Sequence, residues 1–169
     1  MTFEEMARAR YSVKKFKDTP VEEEKLNKIL EVAGLAPTAR NAQSIRIYVL
    51  QSEEALEKAN SLTRCVYGAP LCLMLSYNID ETYPYIEDKG LSSGDEDCSI
   101  VATHIMFEAM ELGLGSCWVN AFTPSKAKAL FGLPENEYVV LFMPIGYADA
   151  GPKPTHTSKK PLDEIVRYL

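Results

Sequence analysis

The chain has 169 residues, of which 46% are hydrophobic and 25% are charged, and its formal net charge is −6. This length and composition are typical of one globular domain with its own core, so we expect a single domain over residues 1–169. The negative charge argues against a general nucleic-acid-binding protein, because a phosphate backbone is bound by a basic surface.

The cysteines and the N-terminus indicate a soluble protein of the cytoplasm. None of the four cysteines belongs to a C-x-x-C pair, and we expect free thiols in a reducing compartment. The N-terminal sequence MTFEEMARAR lacks the apolar core of a secretory signal. The apolar-rich stretch 98–119 is interrupted by His104, Glu108 and Glu111, so we expect no membrane span and no membrane partner.

Four segments of the first sixty residues have a regular apolar pattern. Apolar residues three and four positions apart between capping residues predict helices, and strict alternation predicts a strand. The predicted elements are a helix from the Thr2/Glu5 capping box to about Arg8, a helix from Thr19-Pro20 to Gly34, a strand over 45–51 and a helix from Ser52 to about Leu62.

The rest of the chain contains more deeply buried elements. The continuous apolar run 71–77 predicts a strand buried on both faces. Residues 78–94 are acidic and aromatic, and we interpret them as a lid or a short insertion. A helix capped by Asp97 follows, and its apolar residues point in nearly all directions, so we expect one side to contact another subunit. The last predicted elements are an extended segment over 116–120, a helix from Thr123-Pro124 to Gly132 and a buried strand over 138–148. This order of elements indicates an α+β fold.

The common catalytic constellations are missing from the sequence. His104, His156 and the cysteines do not have the spacing of a zinc site, so we expect no metal. The glycine-rich stretch 113–116 ends a predicted helix, whereas a dinucleotide fingerprint opens one. No G-x-S-x-G nucleophile motif is present. An enzyme built from this chain would therefore depend on a cofactor for its chemistry.

A short segment near the N-terminus carries an unusual pattern of cations. In the sequence RYSVKKF (10–16), Arg10, Ser12 and Lys14 occupy alternate positions. In an extended segment the three side chains point the same way and offer a guanidinium fork, a hydroxyl and an ammonium group. These three residues, which we call the cationic comb, suit a phosphate. Taken alone, the pattern is more typical of an exposed basic edge strand.

A resemblance to a known family extends over almost the whole chain. It is carried, in order, by the segments RYSVKKF, APTARNAQSIRIYV, DCSIVATHIMFEAMELGLGSCWVNAF, LPENEYVVLFMPIGYADAGPKP and SKKPLDEIV. Together these segments resemble the nitroreductase family of FMN-dependent oxidoreductases. The resemblance implies an α+β fold with a central, mostly antiparallel sheet flanked by helices. It also implies a homodimer that binds FMN in a cleft between the subunits, with contacts from both chains.

The resemblance implies two groups of cofactor contacts in the N-terminal half. The cationic comb matches the family's Arg-x-Ser-x-Arg/Lys motif for the FMN phosphate and ribityl chain, and Tyr11 matches a neighbour that contacts FMN through its backbone. Asn41 and Gln43 match an N-x-Q motif that contacts the flavin from the partner chain's side. The alternative for these two residues is a polar loop that fixes a turn. The Pro-Trp that usually follows is replaced here by Ser44-Ile45.

Further contacts are implied in the C-terminal half. Trp118 and Val119 match residues that line the isoalloxazine ring, and the backbone N–H of Asn120 or Ala121 would approach flavin N5. Lys159 matches a family Arg or Lys that reaches the phosphate. The alternatives are a core aromatic for Trp118 and a solvated basic tail for Lys159.

The implied activity is that of an FMN-dependent NAD(P)H oxidoreductase. The flavin carries the chemistry, so we expect no catalytic side chain. Turnover is expected to be ping-pong, with nitroaromatics, quinones or a related conjugated acceptor as the oxidant, and residues 78–94 would select the acceptor. Two alternatives stay open, namely a non-catalytic flavin-binding protein and a divergent family activity such as reductive dehalogenation or flavin cleavage.

Overall fold

The computed structural model describes residues 1–85, 90–149, 154 and 157–169. Within these residues the strands are β1 (Ile45–Leu50), β2 (Leu71–Asn78), β3 (Gly115–Ser116) and β4 (Glu137–Gly146). They form one four-stranded sheet in the order β1-β2-β4-β3, and every pairing in it is antiparallel. The α-helices of the described ranges are α1 (Phe3–Ala9), α2 (Glu23–Leu35), α3 (Glu53–Leu62), α4 (Gly94–Glu111), α5 (Pro124–Phe131) and α6 (Leu162–Ile165). The predicted α+β fold is confirmed.

The two central strands bury side chains on both faces of the sheet. Successive residues of β2, such as Leu73 and Met74, belong to two different core clusters. Residues of β4 are distributed between the same two clusters. Helices α2 and α4 cover one cluster, and α3 and α5 cover the other. The prediction of a strand buried on both faces is therefore confirmed. Burial of each large apolar side chain contributes roughly 1.5–3 kcal/mol to folding.

The starts of α2 and α4 differ from the predictions. Helix α2 begins at Glu23, after Glu22 at the N-cap, and not at Thr19-Pro20. The reason is a tertiary contact, because the Tyr147 hydroxyl donates to the Glu22 carboxylate at 2.8 Å. Helix α4 begins at Gly94, so Asp97 lies inside its first turn and does not cap it.

Several other local predictions are confirmed. The Thr2/Glu5 capping box opens α1, and the Ser52 hydroxyl accepts from an N–H in the first turn of α3. Helix α5 starts at Pro124 and ends at Phe131, and Gly132 caps it in a left-handed conformation with φ 66°. Within 78–94, the predicted lid or insertion, residues 86–89 lie outside the described residues.

A buried carboxylate joins three strands at one end of the sheet. Glu137 accepts hydrogen bonds from the Tyr48 hydroxyl at 2.6 Å and from the Ser76 hydroxyl at 2.9 Å. Its side chain is almost completely buried, so these donors replace the water that it loses. Loss of solvent, followed by the hydrogen bond to Glu137, raises the pKa of Tyr48 to about 12.

We predict that Tyr48→Phe lowers the free energy of unfolding by about 1–2 kcal/mol in urea titrations at neutral pH, because Glu137 loses a buried donor. The control is Tyr138→Phe, at a half-exposed ring, which we expect to change stability by less than about 0.5 kcal/mol.

The pKa of Tyr48 is raised in the folded state, so the contribution of Tyr48 to the free energy of unfolding depends on pH. This contribution is complete below about pH 10 and is lost as the pH rises toward 12. A wild-type–variant difference that stays constant up to pH 12 would contradict this assignment.

Candidate functional site

The cationic comb lies in an extended segment beside β3. Ser12 forms a parallel bridge with Ser116, and the N–H of Val13 donates to the carbonyl of Ser116 at 3.0 Å. The Val13 side chain points into the core, where it packs against the backbone of Gly115. A Cβ at position 115 would collide with Val13, so glycine is required there for the segment to lie this close.

Side chains of the extended segment alternate between two sides. Burial raises the pKa of the Cys117 thiol, and Ser12, Lys14 and Arg10 oppose that rise. In contrast, the ammonium group of Lys15 lies 2.6 Å from a carboxylate oxygen of Asp149. Arg10, Ser12 and Lys14 therefore all act on the Cys117 thiol, whereas Lys15 pairs with Asp149.

Two adjoining cavities border the comb. The first, of about 560 Å³, is lined by Arg10, Tyr11 and Ser12 together with Lys159 from the C-terminal tail. The second, of about 240 Å³, shares Arg10 and Tyr11 with the first and is lined by apolar residues of α4. Lys159 thus joins Arg10 and Ser12 in three dimensions although 147 positions separate it from Ser12. A cationic recess beside an apolar one suits a ligand with an anionic end and a ring.

The segment 118–121 runs along β4. The Trp118 indole N–H donates to the Asn120 amide oxygen at 2.5 Å, and the Asn120 amide N–H donates to the carbonyl of Val140 at 2.8 Å. Asn120 and Ala121 are exposed. The Val119 side chain is 3% exposed, and its backbone pairs with Phe142, so it belongs to the core and does not line a surface recess.

The N-x-Q loop has an unusual backbone. Arg40, Asn41 and Gln43 all lie in the left-handed region, with φ of 54°, 55° and 51°. This conformation is uncommon for residues other than glycine, and it persists only where surrounding contacts hold it. The Thr38 hydroxyl accepts from the N–H of Gln43 at 3.1 Å. The Arg40 guanidinium lies over the ring of Tyr83, 4.8 Å from its centroid.

Asp97 anchors this loop to α4. Its carboxylate, 2% exposed, accepts from the N–H of Ala39 at 2.8 Å and from the Ser93 hydroxyl at 2.7 Å. The Ser93 hydroxyl in turn accepts from the N–H of Tyr83 at 3.1 Å. Sequence reasoning missed this role because the carboxylate occupies a position that also suits an N-cap. The bond from Ala39 to Asp97 joins residues 58 positions apart, so no local pattern in the sequence marks it.

The N-x-Q loop and the comb lie at opposite ends of α4. The loop is bonded at Asp97, whereas Met106 and Met110 line the apolar cavity beside the comb. At 1.5 Å per residue, the thirteen positions from Asp97 to Met110 correspond to about 20 Å. The two predicted parts of the site therefore do not meet within one chain.

Comparison with protein families matches the chain to the model described as the nitroreductase family, over residues 7–67 and 60–147. These matches cover most of the chain. The chain belongs to the nitroreductase family.

Solved structures with this fold extend over the full chain. The crystal structure of a nitroreductase family protein from Clostridium difficile 630 has a TM-score of 0.93 and 37% identity, covering 99% of this chain and 98% of its own. An FMN-dependent nitroreductase from Clostridium difficile R20291 has a TM-score of 0.74 and 27% identity, with 96% of each chain covered. A protein from Bacillus subtilis (strain 168), named an NAD(P)H FMN reductase, is 25% identical over 94% of this chain and 71% of its own. The predicted nitroreductase fold is confirmed.

Two further findings concern the helices and the cysteines in the described part of this nitroreductase-family chain. None of its helices is long and apolar enough to cross a membrane. The four cysteines, all of them within the described ranges, are free thiols, as predicted.

We predict that Asp97→Ala loosens the N-x-Q loop, because the N–H of Ala39 and the Ser93 hydroxyl lose a buried acceptor. Amide hydrogen exchange at Ala39 should become at least about ten-fold faster, and stability should fall by about 1–3 kcal/mol. The matched control is Asp95→Ala, at an exposed residue of the same helical turn. Equal exchange rates at Ala39 in the two variants would exclude the anchoring role.

Proposed function

We propose that this chain is an FMN-dependent NAD(P)H oxidoreductase, folded as one nitroreductase-like domain over residues 1–169 and working as a cytoplasmic homodimer. The observation that supports it most is the cationic cavity, where Lys159 joins Arg10 and Ser12 beside an apolar recess. Family membership and the names of the FMN-dependent and NAD(P)H-using relatives support the same activity. Nitroaromatics, quinones or related conjugated compounds are the proposed acceptors, reduced in a ping-pong cycle.

The residues beside the comb fit the phosphate end of FMN. Arg10 offers a planar fork, Ser12 a hydroxyl, and Lys14 and Lys159 ammonium groups. Charge-assisted hydrogen bonds of this kind contribute about 1.5–3 kcal/mol each. Tyr11, which lines both cavities, would contact the cofactor where its phosphate end meets its ring system.

The segment 118–121 would present backbone groups to the ring. The hydrogen bonds from Trp118 to Asn120 and from Asn120 to Val140 hold this segment against β4. We propose that Trp118 and the N–H of Asn120 or Ala121 border the ring, while Val119 supports them from the core. When bound, FMN supplies the hydride transfer between a nicotinamide and an acceptor. The protein orients the reactants and offers N–H donors where charge develops.

A twofold dimer would complete the site. Helix α4 leaves Ile100 and His104 on an outward face, and Ile100 is 37% exposed. If two α4 helices pack antiparallel through this face, Asn41 and Gln43 of one chain come next to the comb of the other. The C-terminal tail also exposes apolar side chains that suit a partner surface, namely Leu162, Ile165, Val166, Tyr168 and Leu169.

FMN binding and reduction test the proposed function. We expect purified protein to bind FMN, measured by flavin fluorescence, and the bound flavin to bleach anaerobically on addition of NADH or NADPH. Arg10→Ala should raise the Kd for FMN at least about ten-fold, because a charge-assisted contact to the phosphate is lost. Lys15→Ala should change the Kd less than about two-fold, because Lys15 pairs with Asp149 instead.

Different failures point to different parts of the proposal. Protein that cannot be loaded with FMN would refute the flavin assignment, and equal losses in the Arg10 and Lys15 variants would refute the phosphate contact. Bound flavin that neither nicotinamide reduces would favour a non-catalytic flavin-binding protein. An acceptor screen with the reduced protein then separates nitroaromatic and quinone reduction from dehalogenation or flavin cleavage.

Light scattering tests the dimer. We expect a dimer for the wild-type protein, and Ile100→Glu should give a monomer with weakened FMN binding, because a charge replaces an apolar contact in the interface. The control is Leu130→Glu, at a residue of similar exposure on α5, which covers the other face of the sheet. A wild-type monomer that binds FMN fully would contradict the shared site.

A further inference from the structure

The N-x-Q loop carries an arginine that the proposed contacts of the cofactor do not include. Arg40 directly precedes Asn41 and is an exposed residue with φ 54°. A left-handed backbone is uncommon for arginine and persists only where other contacts hold it. Here the N–H of Asn41 donates to the carbonyl of Thr38 at 2.9 Å, and the N–H of Ala39 donates to the Asp97 carboxylate at 2.8 Å. The backbone is therefore fixed on both sides of Arg40.

The side chain of Arg40 is held in place as well. Its guanidinium carbon lies 4.8 Å from the centroid of the Tyr83 ring, which is the distance of a cation–π contact. The N–H of Tyr83 donates to the Ser93 hydroxyl at 3.1 Å, and the N–H of Ser93 donates to the carbonyl of Tyr83 at 2.9 Å. Because the Ser93 hydroxyl also donates to Asp97, one buried carboxylate fixes both the loop of Arg40 and the ring under its side chain.

The hydrogen-bond donors of Arg40 remain available to a ligand. A guanidinium carries five N–H donors in one plane, a geometry that matches the two oxygens of a carboxylate. Among the residues that the structure describes, no carboxylate forms an ion pair with Arg40. The neighbouring acid Glu96 accepts instead from the Tyr85 hydroxyl at 2.8 Å. The exposed guanidinium is thus suited to an anionic group that a ligand brings.

The surroundings of Arg40 differ from those of the phosphate cavity. That cavity combines several cations with the Ser12 hydroxyl, a set of donors that suits a phosphate with its several oxygens. Arg40 is instead a single cation beside the partly buried rings of Tyr83 and Tyr85, whose centroids lie 5.8 Å apart. A pair of rings with one guanidinium suits a flat conjugated compound that carries one anionic group.

We propose that Arg40 is a specificity-determining residue, which selects conjugated electron acceptors that carry a carboxylate or a similar anionic group on their ring. The inference rests on the proposed function, because it takes Arg40 into the shared cleft together with Asn41 and Gln43 of the same loop. There Tyr83 borders the ring of the acceptor, and Arg40 donates to its anionic group. A neutral acceptor of the same shape lacks this charge-assisted contact and binds more weakly.

Acceptor binding to the oxidised, FMN-loaded protein tests the inference. The probes are para-nitrobenzoate and para-nitrobenzamide, which have nearly the same shape and differ in charge, and the Kd is measured from the change in flavin absorbance. We expect the wild-type protein to bind the benzoate at least about ten-fold more tightly than the benzamide. In Arg40→Gln the preference should fall below about two-fold, because the charge is removed and a polar side chain is kept.

Three further variants separate the guanidinium, its support and the local charge. Tyr83→Phe keeps the ring and should keep the preference, whereas Tyr83→Leu removes the cation–π contact and should reduce the preference at least about three-fold. Arg46→Gln removes the same charge from a guanidinium that already pairs with Glu81 at 2.6 Å. This control should change the preference by less than about two-fold.

The outcomes separate this inference from the proposed function. A wild-type protein that binds FMN, is reduced by a nicotinamide and shows no preference between the probes, or binds neither, would overturn the inference and leave the proposed function intact. A preference that persists in Arg40→Gln would also overturn it, and a weakened affinity for FMN in that variant would then assign Arg40 to the phosphate. Protein that cannot be loaded with FMN would overturn both.

Discussion

The antiparallel pairing of β2 with β4 is the constraint on which the other parts of the molecule depend. Both strands bury apolar side chains on both faces, so each face must be covered by helices. Because β3 pairs only with the last residues of β4, and the comb segment pairs with β3 at Ser116, the position of the comb follows from this central pair. A cation cluster in an acidic protein is thereby held on a rigid frame.

Helix α4 sets the distance between the two parts of the candidate site, the N-x-Q loop and the comb. Asp97 fixes the N-x-Q loop at one end, and the comb cavities lie at the other. If a second chain supplies the missing part, cofactor binding and dimerisation stabilise each other, since a ligand that contacts both chains favours the state in which they are joined. The affinity for FMN would then depend on protein concentration.

Much of the fold was predictable because it depends on neighbours in sequence. Alternation identified β1 and the comb, continuous apolar residues identified β2, and the caps at Thr2, Ser52 and Pro124 identified three helix starts. Motifs in the sequence identified candidate site residues. They did not show which of these residues lie close together in the structure. Val119 is an example, since its motif position implied a ring contact and the structure places its side chain in the core.

What the sequence by itself determined was the type of the main helices and strands, the two-sided burial of β2 and the family. The tertiary structure alone decided the start of α2, the anchoring role of Asp97 and the approach of Lys159 to Arg10 and Ser12. The reason is the range of the interactions involved. Caps and alternation act over a few residues, whereas Asp97 bonds a residue 58 positions away and Glu22 one 125 positions away. Such contacts exist only once the sheet has brought distant segments together.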